Sequence, residues 1–322
     1  MNTPLIFDLH CDTILSLYTE NKTLTTWDGH INLSKLQSCG CGVQSFALFL
    51  ATNDAAAEHN IAEEPYVLFN NMYSVFQREM KDNSAFISQV RCYEDIRRNL
   101  AAGKLSALLT LEDCVLLDGK PERIDELFEK GVRIAALTWN YENSVGFPNS
   151  DDPDAHRKGL KKFGFETVER MNELGIIVDV SHLSEGGFYD VAKASQKPFI
   201  ASHSCARALC DHSRNLTDAQ LHTLGEHGGV CGVNFLSYFL VKDSKHTKNS
   251  DIVRHMDHIR DKAGIEAVAL GSDFDGIDCT LEFGDYAGLP KLIDAMSAKF
   301  TDDEIELICG KNALRVFKEC VR

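Results

Sequence analysis

Short apolar runs alternate with amphipathic stretches along most of this chain. Eight of the runs read as strands: residues 4–10 (PLIFDLH), 43–50 (VQSFALFL), 105–112 (LSALLTLE), 132–139 (VRIAALTW), 176–182 (IIVDVSH), 198–204 (PFIASHS), 229–235 (GVCGVNF) and 267–273 (AVALGSD). Between them lie helical patterns, among them 55–81, RIDELFEKG, GFETVERMNELG, SEGGFYDVAKAS, LTDAQLHTLGEHGG and DIVRHMDHIRDKAG. Gly131 and Gly175 suit helix C-caps, and Ser184 and Thr217 suit N-caps. Alternating strands and helices imply a parallel sheet, and nearly continuous apolar strands imply burial on both faces. About eight such units in 322 residues predict an α/β fold of the (β/α)8 barrel type. The competing architecture is an open doubly wound sheet, but no Gly-x-Gly-x-x-Gly or Walker loop follows any strand. No linker or low-complexity tract divides the chain, so residues 1–322 are expected to form one barrel domain. Segments 27–42 and 141–159 read as insertions over its mouth.

Composition narrows the partners. A formal net charge of −15 argues against nucleic acid or an anionic membrane as the main partner. The 11 cysteines are scattered without a Cys-x-x-Cys pair, which points to a reducing compartment rather than a disulfide framework or zinc knuckle. The opening MNTPLIFDLH lacks the basic start and apolar core of a signal peptide, and no run approaches the ~18 apolar residues of a membrane span. The expected location is cytoplasmic.

The chemistry lies where the apolar runs stop. The first strand ends in His10 and Asp12, two residues apart and so on one face of an extended chain. The third ends in Glu112, the fifth in His182, the sixth in His203 and the eighth in Asp273. A single histidine at a strand end is ordinarily a hydrogen-bonded structural residue. In a parallel barrel, however, all these ends converge on one rim, where active sites form. Imidazoles and carboxylates without thiolates suit zinc. Three histidines and two acids exceed one tetrahedral site, and suit two ions bridged by a carboxylate. The expected arrangement is two Zn²⁺ per chain bridged by Glu112 and a water or hydroxide, with His10 and Asp12 on one ion and His182 and His203 on the other. Asp273 is left to move protons between the attacking water and a leaving amine.

At these residues the chain resembles the membrane dipeptidase (renal dipeptidase) family, peptidase family M19. The resemblance runs in order through DLHCDT, LTLED, LTWN, DVSHLS, ASHSCARAL, HSRNLTD, GSDFDG and GKNALRVF, nearly the whole chain. It implies a binuclear zinc (β/α)8 hydrolase that cleaves dipeptides, including those with a C-terminal D-residue. It assigns the metal ligands to His10, Asp12, Glu112, His182 and His203, and the acid/base to Asp273. It adds Arg214 as the residue holding the substrate carboxylate, which fits the planar fork of a guanidinium. Family members commonly dimerise, so a homodimer is an expectation without an identified interface. One departure stands out. The mammalian members carry a histidine after the fourth strand, where this chain reads LTWNYENSVG. Asn140 or Tyr141 could donate to the substrate oxyanion instead, and His156 could reach in if the loop folds over the mouth. With no leader or lipid-anchor tail, the chain reads as a soluble bacterial-type relative.

Two rival readings share the rim. A different barrel hydrolase acting on lactones, cyclic amides or esters could use the same centre, since fold does not set substrate. A metal-bound protein without turnover would have no need of Asp273.

Overall fold

The computed structural model describes residues 4–321. Its strands are β1 (Ile6–Asp8), β2 (Cys41–Phe49), β3 (Ile87–Val90), β4 (Leu105–Glu112), β5 (Ile134–Ala136), β6 (Ile177–Asp179), β7 (Ile200–Ser204), β8 (Val230–Val233), β9 (His246–Thr247), β10 (Val268–Leu270) and β11 (Thr280–Leu281). Eight of them close a parallel barrel in the order β1, β2, β4, β5, β6, β7, β8, β10 and back to β1. These are the eight runs read as strands from the sequence. β9 and β11 form a separate two-stranded ribbon.

β3 was not among the predicted strands. It pairs with the first half of β4, Ile87 with Leu105 through Val90 with Leu108, whereas β5 pairs with the second half from Thr110 onwards. The short β5 leaves the lower edge of β4 open, and β3 supplies the missing ladder partners. The helical pattern predicted over 55–81 is two helices, Asn53–Glu58 and Pro65–Asp82. Pro65 cannot donate to a preceding turn, and it begins the second helix at a position where that costs nothing. Gly131 and Gly175 do cap their helices, with φ of 95° and 87°, and Ser184 and Thr217 accept from Gly187 N and Gln220 N.

The lower part of the barrel is apolar. Phe7, Val43, Leu108, Ile134, Ile177 and Ile200 share one buried cluster with Val316 and Phe317 of the C-terminal helix Asn312–Cys320. That helix lies under the strand starts. Asn312 donates to Val268 O, Arg315 to Gly228 O and Cys320 Sγ to Pro198 O. With the bottom sealed, the opposite ends of the strands are left to hold polar groups.

Candidate active site

Glu112 is the last residue of β4 and His203 lies within β7. His10 follows β1, His182 stands in the turn after β6, and Asp273 follows β10. Asp12 precedes helix Thr13–Thr19 but gives its side chain to no cap, leaving the carboxylate for the rim. His182, Asp273 and Asp275 take left-handed backbone conformations, with φ of 65°, 61° and 65°. Non-glycine residues rarely do so, and here the tight turns lie at the barrel mouth. The second glycine of GSDFDG is constrained by space instead: a Cβ on Gly276 would lie 2.1 Å from Asp12 Oδ2.

These side chains meet around Glu112. Its Oε1 lies 3.0 Å from His182 Nε2 and 3.5 Å from His203 Nε2. Its Oε2 lies 3.4 Å from His10 Nε2, which is 3.4 Å from Asp12 Oδ2 and 3.9 Å from Asp273 Oδ1. One carboxylate therefore presents one oxygen to a pair of histidines and the other to a histidine among acids. Within this cluster, His10, Glu112 and His203, and likewise His10, Asp12 and Asp273, are close enough to share a metal ion.

The surrounding hydrogen bonds decide which ring nitrogens carry protons. Asn140 Oδ1 can only accept, so at 2.9 Å it assigns a proton to His182 Nδ1. Ser202 Oγ donates to Asp179 Oδ2 and so accepts from His203 Nδ1 at 2.8 Å. Both rings then turn an Nε2 lone pair inward, and the two Nε2 atoms are only 3.0 Å apart. Burial pushes the pKa of His182 down to about 3, helped by Arg214, and burial together with His10 holds His203 well below the usual imidazole range. Two neutral lone pairs and a carboxylate oxygen thus converge without a proton among them. A divalent cation relieves that repulsion, and imidazoles oriented through their other nitrogen are the usual metal ligands.

The other half calls for positive charge as well. Burial opposes a charge on His10, but Asp12 and Glu112 outweigh it and raise its pKa well above the ordinary value. Burial likewise opposes ionisation of Glu112, and there the charge of His10 prevails and keeps it well below the usual carboxylate range. His10 Nε2 and Asp12 Oδ1 are buried without a hydrogen-bond partner. Orphaned buried atoms call for a partner, and a bound ion would satisfy both of these at once. The donor set therefore fits bound metal.

The cluster opens into a cavity of about 280 Å³. Its walls include Phe49 and Trp139 on one side, whose rings lie 4.9 Å apart, and Phe239 and Arg214 on another, with the guanidinium 5.4 Å from the ring. Arg214 is 5% exposed. It donates to His203 O at 3.0 Å and Ser204 Oγ at 3.3 Å, while its Nε has no protein partner. Among the described residues no carboxylate forms a salt bridge with it, unlike a surface arginine. Asn215 braces the same loop by donating to Cys210 O and Phe239 O.

Other expectations are corrected here. Tyr141 does not line the cavity; its hydroxyl turns to Asp54 at the surface. Asn140 does line it, and its oxygen accepts from the His182 ring. His156 does not reach in either, lying between Ser150 N and Arg207. His255, in helix Asn249–Ala263, is fully buried between Ala206 N and Leu240 O. Asp275 lines the cavity edge and accepts from His30 N and Thr13 Oγ1, which holds its loop. Sequence reasoning missed Asn234, whose Nδ2 donates to Asp273 Oδ2 at 2.8 Å. The signal was present, a polar residue near the end of the run GVCGVNF. It also missed Asp113, which accepts from Asn143 Nδ2 and Val115 N and is pushed up to about 7 by burial.

Comparison with known proteins identifies the family. The profile of the family described as "Membrane dipeptidase (Peptidase family M19)" matches residues 1–321. The chain belongs to peptidase family M19. It is 38% identical over 234 residues to "Uncharacterized protein in pqqA 5'region" of Klebsiella pneumoniae, covering 70% of this chain and 85% of that one. It is 32% identical over 307 residues to an uncharacterised dipeptidase of Schizosaccharomyces pombe, covering 90% and 72%. A solved metallopeptidase from Rhodobacter sphaeroides, liganded with a phosphinate mimic of the dipeptide L-Ala-D-Ala, superposes with a TM-score of 0.91 at 27% identity over 99% of this chain and 100% of that one. As an M19 member this chain is a metal-dependent dipeptidase, a hydrolase on a (β/α)8 barrel. No helix among the described residues is long and apolar enough to cross a membrane.

Proposed function

We propose that this M19 enzyme hydrolyses free dipeptides with two zinc ions per chain, and that its substrates include dipeptides ending in a D-residue. His10 and Asp12 would hold one ion, His182 and His203 the other, and Glu112 both. When bound, such ions lower the pKa of water so that it attacks as hydroxide, and they polarise the scissile carbonyl.

The protein's own groups supply the rest. Arg214 receives the substrate's C-terminal carboxylate, pairing the buried guanidinium with the anion the protein does not provide. Asn234 holds Asp273 Oδ2 and leaves Oδ1 facing the cluster. Burial raises the pKa of Asp273 against the pull of His10, which brings the group nearer the range useful for taking and returning a proton. It takes one from the attacking water and gives it to the departing amine. The volume of about 280 Å³ lies just under the range of drug-sized ligand sites, which suits a small substrate. Support for a D-residue comes from the L-Ala-D-Ala mimic bound to the Rhodobacter sphaeroides relative.

The observation that carries the reading is the pairing of the Glu112-centred cluster with an unpaired, buried Arg214 in one small cavity. The test is hydrolysis of L-Ala-L-Ala, L-Ala-D-Ala and an N-blocked control by metal-analysed protein, with and without chelator. Chelator-sensitive cleavage of the free dipeptides by protein holding two zinc ions per chain is expected. Absence of dipeptide turnover with both metals present would move the reading to lactones, cyclic amides or esters.

A further inference from the structure

Arg214 is held at the cavity by a loop rather than by a helix or strand. The loop is closed at its base by a bridge between Ala206 and Leu216, with Arg207 N donating to Leu216 O and Leu216 N to Cys205 O. One side chain bonds to three of its carbonyls. Arg207 Nε donates to His212 O at 3.2 Å and Asn215 O at 2.9 Å, and a terminal nitrogen donates to Ser213 O at 2.8 Å. The three carbonyls bracket position 214 on both sides. The same terminal nitrogen lies 3.2 Å from His156 Nε2, and the other lies 4.0 Å from Glu185. Arg207 thus also ties the Arg214 loop to segment 141–159, which Ser213 Oγ reinforces by donating to Asn149 Oδ1. Asn149 N in turn donates to His182 O. Arg207 does not line the cavity.

We infer that Arg207 is a positioning residue for substrate binding: its guanidinium templates the 206–216 loop so that Arg214 meets the dipeptide carboxylate. The inference rests on the reading of Arg214 given above. A planar fork that donates to several carbonyls at once cannot be replaced by an ammonium or an apolar chain. Without it, the loop keeps its base but loses these bonds, and the anchor moves relative to the reaction centre.

The experiment measures kcat and KM for L-Ala-L-Ala in the zinc-loaded wild type and in Arg214→Met, Arg207→Met and Arg207→Lys, with thermal melting as the check on folding. Arg207→Met should raise KM about 10- to 100-fold with a much smaller change in kcat, because misplacing a substrate anchor by even 1 Å carries a penalty of that order. Arg207→Lys should fall between, and it keeps the test informative if the methionine variant does not fold. A folded Arg207 variant with unchanged KM, or one that loses kcat alone, overturns the positioning role while a raised KM in Arg214→Met preserves the anchor reading. An unchanged KM in Arg214→Met overturns both.

Discussion

At the lower end of the barrel, Phe7, Val43, Leu108 and Ile177 meet Val316 and Phe317 in a buried apolar cluster, with the rings of Phe7 and Phe317 packed edge-on at 6.3 Å. A few residues further along the same strands, His10, Glu112, His182 and His203 are also buried, yet His10 Nε2, Asp12 Oδ1 and Arg214 Nε find no partner among the described residues. Both ends exclude water. The lower end gains stability from that exclusion, because apolar area leaves solvent and the side chains interdigitate. The upper end is destabilised by it, because desolvated charges and lone pairs face one another. Burial alone therefore says nothing about function, whereas burial of unsatisfied groups does. The upper arrangement is tolerable because the lower end and the surrounding helices hold the strands in place, and because a metal and a substrate can complete it.

Substitutions at the two ends should part company. The largest effect is expected at the upper end. Asp273→Asn should keep the metals, measured by elemental analysis, and lose about 10²- to 10⁴-fold in turnover, the usual contribution of a positioned acid/base. Unchanged turnover would reject the role given to Asp273. Phe317→Ala should do the reverse, lowering unfolding free energy by about 3–5 kcal/mol in denaturant titration while folded protein keeps its kcat. A large loss of kcat there would mean that the two ends are not separable.

The smallest effect sharpens the comparison by separating burial from chemistry. His255 is as buried as the rim histidines but has both nitrogens satisfied, and burial brings its pKa down to about 4. Its folded-state pKa is below the unfolded value of about 6.5, so the unfolded chain binds the extra proton between those values. The stability contributed by neutral His255 is therefore present above about pH 6.5 and is lost as pH falls towards 4, by up to about 3 kcal/mol. The stability advantage of wild type over His255→Gln should narrow across that window. A constant difference from pH 7 to 4 would show that the site does not discriminate against the charged ring.

The sequence by itself determined the eight-fold alternation, the barrel and the residues that share its rim. Period and strand ends are local properties, and strand parity with a parallel sheet sends every C-terminal end the same way. What the sequence could not show was which polar neighbour each rim residue would find. Asn140 was read as a donor to substrate, and its oxygen also orients His182; Tyr141 was placed beside it and points to Asp54. The break between Glu58 and Pro65, the added ladder of β3 and the burial of His255 likewise depend on what packs against each segment. Tertiary structure alone decided that Ser202 would relay Asp179 to His203, that Asn234 would hold Asp273, and that Arg207 would bond to carbonyls of the Arg214 loop. Each of these is a contact of a few ångströms between separate strand ends or within a folded loop, and its direction depends on how the barrel closes and where its turns swing the side chains.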